Sequence, residues 1–275
     1  MIAAADSAIR RGDLRPSYTA TRARIALVAL LFALAALAWW LTVDRMDEMD
    51  GGPGADLGTL GWFTGVWVVM MAAMMFPSVA PTVALYSHMT KRREPLGPLA
   101  FASGYLLTWA AAGLAAYGAL VLGRELLGDS LAWDNGGRWL AGGIVALAAA
   151  YELTPLKDTC LGRCRGPLGF LLGNWRDGLG GALSMGMKHG AWCVGCCWAL
   201  MAALFALGVM SIAWMAFVAA VIALEKLLPW RRVATYATAA ILVALALLLL
   251  VAPDLVPGLT VPGDDGGSMG PSMSM

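Results

Sequence analysis

GALSMGMKHGAWCVGCCWALMAALFAL, residues 181–207, carries one formal charge, Lys188, in a run long enough to cross a bilayer. About 20 predominantly apolar residues in a helix span the roughly 30 Å hydrocarbon layer. Lipid supplies no water for unpaired backbone groups, so a run of this kind crosses as a helix. Six more apolar runs flank it, at 25–43, 60–89, 96–122, 139–152, 212–228 and 233–251, with Pro77 and Pro81 expected to bend the one at 60–89. The chain as a whole is 60% hydrophobic and 13% charged, against about a quarter charged in soluble domains. No soluble core could bury that much apolar surface. The reading is an all-α membrane protein, a polytopic bundle of seven (or six) transmembrane helices without internal repeats. No basic patch with interleaved aromatics is present, which argues against nucleic acid as a partner.

The 19 Lys and Arg are unevenly placed. Fifteen fall in the N-terminal arm and in alternate loops: Arg10, Arg11, Arg15, Arg22, Arg24, Lys91, Arg92, Arg93, Lys157, Arg163, Arg165, Arg176, Lys226, Arg231 and Arg232. Only Arg45, Arg124 and Arg138 fall in the other loops, and Lys188 is inside a run. Basic loops stay in the cytoplasm, so the N-terminus is expected to be cytoplasmic and the C-terminus extracytoplasmic. Residues 1–24 then form a basic cytoplasmic arm, and 25–251 the transmembrane domain, with a Cys-containing cytoplasmic loop at 153–180. Residues 252–275 form a flexible Met/Gly/Pro extracytoplasmic tail. The first run offers Ala36 and Ala38 as a signal-peptide cleavage site. Its apolar stretch continues through Trp39 to Val43, which favours an uncleaved anchor.

All five cysteines lie between Cys160 and Cys197, an odd count in a pattern that does not suggest a disulfide framework. With His189 at zero and 100° per residue, Cys193 falls at about +40°, Cys196 at about −20°, Cys197 at about +80° and Met185 at about −40°. An imidazole, three thiols and a thioether thus share one face. Single cysteines often serve as small packing residues, but three with a histidine on one arc point to ligation. Soft thiolate and thioether donors select Cu(I), with Zn as competitor. At about 1.5 Å rise per residue, Cys193 lies roughly 18 Å from the start of its run, near the bilayer middle.

Cys160 and Cys164 form a C-x3-C pair in the loop before this run, and such a pair can chelate one ion. Their neighbours Arg163 and Arg165 favour thiolate. Met70 and Met74 share a helical face and are candidate additional ligands, although methionine is also a common core filler. His88, near the end of the same run, reads as an interfacial residue. On the other side, Met46 and Met49 in the first outer loop and Met269, Met273 and Met275 in the tail offer thioethers, which suit Cu(I) without forming disulfides. Glu152 and Lys188 are charges near membrane depth, where charge is costly and usually paired or functional. Lys188 is placed to snorkel to the interface. No phosphate-binding G-x4-G-K-[ST] loop is present.

Two stretches, ELTPLKDTCLGRCR (152–165) and MKHGAWCVGCCWALM (187–201), resemble bacterial integral membrane proteins described as metal-binding, some of them labelled copper chaperones for tyrosinase-like oxidases. MMAAMMFPSVAP (70–81) and GVMSIAWM (208–215) with the following Glu225 and Lys226 resemble the same family, so the likeness covers about residues 60–230. It implies metal handling and a place in the bacterial inner (plasma) membrane. The expectation is then a copper chaperone or transporter, with no catalytic residue of its own, that delivers Cu(I) to a cuproenzyme. Cys160 and Cys164 would be the cytoplasmic port. His189, Cys193, Cys196 and Cys197 would form the intramembrane site, with Met70 or Met74 available to complete it. The partners expected are the lipid bilayer, a copper-dependent oxidase or another copper-handling protein, and a second copy of the chain. The alternative is a membrane thiol–disulfide oxidoreductase using Cys193 and Cys196, formally C-x-x-C.

Overall fold

The computed structural model describes residues 25–44, 59–90, 94–127, 137–207, 211–228 and 230–252. The basic arm, Met46 and Met49, the Lys91, Arg92 and Arg93 loop and the methionines of the tail lie outside the described residues. Among those described there are nine helices and no strand. They are α1 Ile25–Asp44, α2 Leu60–Thr90, α3 Gly97–Leu127, α4 Arg138–Glu152, α5 Pro155–Arg165, α6 Pro167–Asn174, α7 Gly178–Leu207, α8 Ile212–Leu227 and α9 Arg231–Val251.

Each of the seven apolar runs is a helix, but the helices differ in length. Five helices, α1, α2, α3, α7 and α9, are long and apolar enough to cross a membrane. A sixth crossing is counted if α4 and α5, bent by 67° at a short break, are one broken span. The difference from seven arises at α4 and α8, which have 15 and 16 residues. At 1.5 Å per residue they reach only about 22–24 Å.

The stretch 153–180, expected to be loop, folds into two short helices. Thr154 caps α5 by accepting the Lys157 backbone N–H on its side-chain oxygen, and Pro155 opens the first turn. Both are helix-start signals. Gly166 and Pro167 separate α5 from α6. The composition of α5 is polar, which is why hydropathy alone does not reveal it.

α7 is the axis of the bundle, with α3 on one side and α4 and α5 on another. Glycines set these distances. A Cβ on Gly186 would overlap the Phe101 carbonyl, and one on Gly104 would overlap the Leu183 carbonyl, so α3 and α7 approach backbone to backbone. Thr108 Oγ1 donates to the Met187 carbonyl at 3.1 Å across the same seam. Small residues permit this close helix pairing in apolar surroundings. On the opposite side Tyr151 of α4 donates to the Gly195 carbonyl.

Candidate metal centre

The site is built on one turn of α7. Residues 193, 196 and 197 stand three and four apart, so their side chains meet on one face. The Sγ atoms of Cys193, Cys196 and Cys197 lie within 4.8 Å of one another, and all three residues are buried. Cys196 Sγ and Cys197 Sγ are 3.2 Å apart. All five cysteines are free thiols.

α5 brings a fourth sulfur. Cys164 Sγ lies 3.8 Å from Cys196 Sγ. Cys160, one turn earlier on α5, faces Gly195 instead: a Cβ there would sit 2.9 Å from Cys160 Sγ. The two cysteines assigned to a separate port are therefore packed on α7, and Cys164 adjoins the three-thiol group.

His189 is buried one turn before Cys193 but does not join that group. Its ring is boxed by Phe101, Tyr105 and Phe170 at centroid distances of 5.9, 6.1 and 4.9 Å. Its Nδ1 has no hydrogen-bond partner. Met185, His189, Cys193 and Cys197 are spaced by four and form one buried line along α7. Met70 and Met74 are buried on α2, which packs chiefly on α3 and α8.

Charged and polar groups crowd the same level, and several of them are invisible to pattern reading. Tyr105 OH lies 2.9 Å from Cys193 Sγ. Lys226 Nζ donates to Cys193 Sγ at 3.0 Å and to Ser78 Oγ at 3.2 Å. Lys157 is buried between two carboxylates, bonded to Glu152 and to Glu225, the latter at 2.8 Å. Arg165 donates to the Glu225 carbonyl at 2.9 Å and also to that of Leu228. In the sequence pattern Lys157 and Lys226 fall among the basic loop residues. The structure places their ammonium groups inside the bundle, leaving thirteen of the 19 Lys and Arg on the basic side. Glu225 and Lys226 between apolar neighbours were the readable signal, since charge within an apolar helix is seldom incidental. Tyr105 and Ser78 carried none. Lys188 is exposed and reaches Asn174 at 3.4 Å.

The Lys226–Cys193 contact sets the level of the site along the bundle. Lys226 is in the last turn of α8, and α9 starts at Arg231. Cys193 is therefore level with the basic ends of both helices, while α7 runs on past that level for about 22 Å to Gly178. With 30 residues, α7 is about 45 Å long and overshoots a 30 Å layer.

Chemically, the centre offers soft sulfur donors in excess of what Cu(I) needs, on a rigid turn, with cations beside them. Zn prefers four ligands in a tetrahedron, a number that the three grouped thiols and Cys164 match. No curated protein and no solved structure matches the chain. A family model described as PpoB2, copper chaperone, matches residues 64–249. That match spans α2 almost to the end of α9 and includes every residue of the centre, from Ser78 to Lys226; the chain belongs to the PpoB2 family of copper chaperones.

Proposed function

We propose that this protein is an integral membrane carrier that binds Cu(I) through thiolates and passes it to a copper-dependent oxidase or another copper-handling protein. The observation that carries the reading is the three-thiol group of α7, within 4.8 Å, in a chain of a copper chaperone family. Thiolates favour Cu(I) among the biological first-row ions. Cys164 at the rim supports exchange from sulfur to sulfur, in which the ion moves without ever being free. The apolar helices and the bias of basic residues support a multi-pass protein of the bacterial inner membrane with its N-terminus in the cytoplasm. Seven segments would then enter the layer, with α4 and α8 the shortest of them.

The test is replacement of Cys193 and Cys196 together by Ser. A buried Ser hydroxyl can bond a carbonyl one turn back, so the helix should persist. Near-stoichiometric Cu(I) binding by anaerobically purified wild-type protein should be abolished in the variant. Metal-free wild-type protein cycling through a Cys193–Cys196 disulfide would instead support the oxidoreductase. Helical geometry opposes that disulfide, because residues a turn apart have Cβ atoms about 5–6 Å apart and a disulfide wants about 3.5–4.5 Å.

A further inference from the structure

We propose that Lys226 is the built-in counter-charge of the thiolate centre, holding an ammonium group against the negative charge that Cu(I) binding places on Cys193. The inference rests on the Cu(I) reading above and adds a residue to it. Neighbours on a helix point about 100° apart, and Glu225 and Lys226 use that divergence. Glu225 turns its carboxylate to Lys157 of α5, while Lys226 turns to Cys193 of α7 and Ser78 of α2. The ammonium group thus meets a sulfur and a hydroxyl rather than a carboxylate. Burying a cation without an anion is expensive. The anion that the centre provides is the metal–thiolate complex itself.

Glu152, Lys157 and Glu225 form a separate buried group, and Arg165 bonds the carbonyls of Glu225 and Leu228. The ammonium group at the thiols is that of Lys226. Cu(I) with two thiolates carries −1, which one ammonium group neutralises, and each further thiolate adds negative charge that makes the cation more valuable. Cys193, the sulfur in contact with Lys226, is the ligand that this charge favours most. Each thiol that joins the complex gives up its S–H proton to solvent as its Cu–S bond forms.

Lys226→Met, Lys226→Arg and the wild type would be compared in full-length protein purified anaerobically in mild detergent. Cu(I) affinity is measured against a chromophoric Cu(I) chelator, and folding is followed by circular dichroism of each variant. Lys226→Met should lower Cu(I) affinity at least about tenfold, while Lys226→Arg, which keeps the charge, should stay within about threefold of wild type. Unchanged Cu(I) affinity in Lys226→Met, or equal losses in Lys226→Met and Lys226→Arg, would overturn the proposal. Should Lys226→Met not fold, Lys226→Gln, which keeps a polar head without the charge, takes its place with the same expected loss; no change there overturns it equally. A wild type that binds no Cu(I) overturns the chaperone reading itself, an outcome distinct from all of these.

Discussion

On α5, Cys164 ends 3.8 Å from Cys196 Sγ, whereas Cys160 rests against the backbone at Gly195. Their spacing of four gives them a common face but different levels, separated by about 6 Å of rise. Only the later one reaches the three thiols of α7. Cys164→Ser should therefore weaken Cu(I) binding about five- to tenfold by removing a candidate ligand, and Cys160→Ser should leave it nearly unchanged. Competition titration of the two single variants checks this, and equal losses would count against the unequal placement. The angular positions of Cys193, Cys196 and Cys197 were readable because helical periodicity alone sets them. Which α5 cysteine approaches them was not, because that depends on how α5 docks.

α5 is held by charge as well as by apolar surface. Lys157 sits between Glu152 at the end of α4 and Glu225 at the end of α8, buried on all sides. Removing the lysine leaves two carboxylates facing each other, and breaking a buried pair this way costs about 3–5 kcal/mol. Lys157→Met should lower the melting temperature and raise the alkylation rate of Cys164 in metal-free protein as α5 detaches. The triple variant with Glu152→Gln and Glu225→Gln should recover part of the loss, since it leaves no unpaired charge. Equal alkylation rates in wild type and Lys157→Met would show that other contacts hold α5. Thr154 and Pro155 already announced a helix start in the sequence. The destination of that helix was set by Glu225, which lies 68 residues after Lys157.

For the molecule as a whole, α2, α3 and α7 have 30 or 31 residues each, while α4 and α8 have 15 and 16. The short helices end at the level of the thiols, so the centre lies toward the basic side of the bundle. The orientation predicted from the basic residues puts a reporter fused after Asp56 outside the cytoplasm and one fused after Arg93 inside. Both reporters on one side would overturn the arrangement of the first two spans.

By itself the sequence determined what depends on composition and local periodicity: seven helical apolar segments and a soft-ligand face on the helix at 178–207. Those properties follow from backbone hydrogen bonding in apolar surroundings and from 3.6 residues per turn, and need no neighbour. The tertiary structure alone decided that Lys157 and Lys226 are interior, that Cys164 adjoins Cys196 and that His189 lies in an aromatic box apart from the thiols. Each of these is a contact between helices distant in the chain. Glycine seams, short helices and a buried ion triad set the heights and faces at which those helices meet, and no local pattern encodes that register.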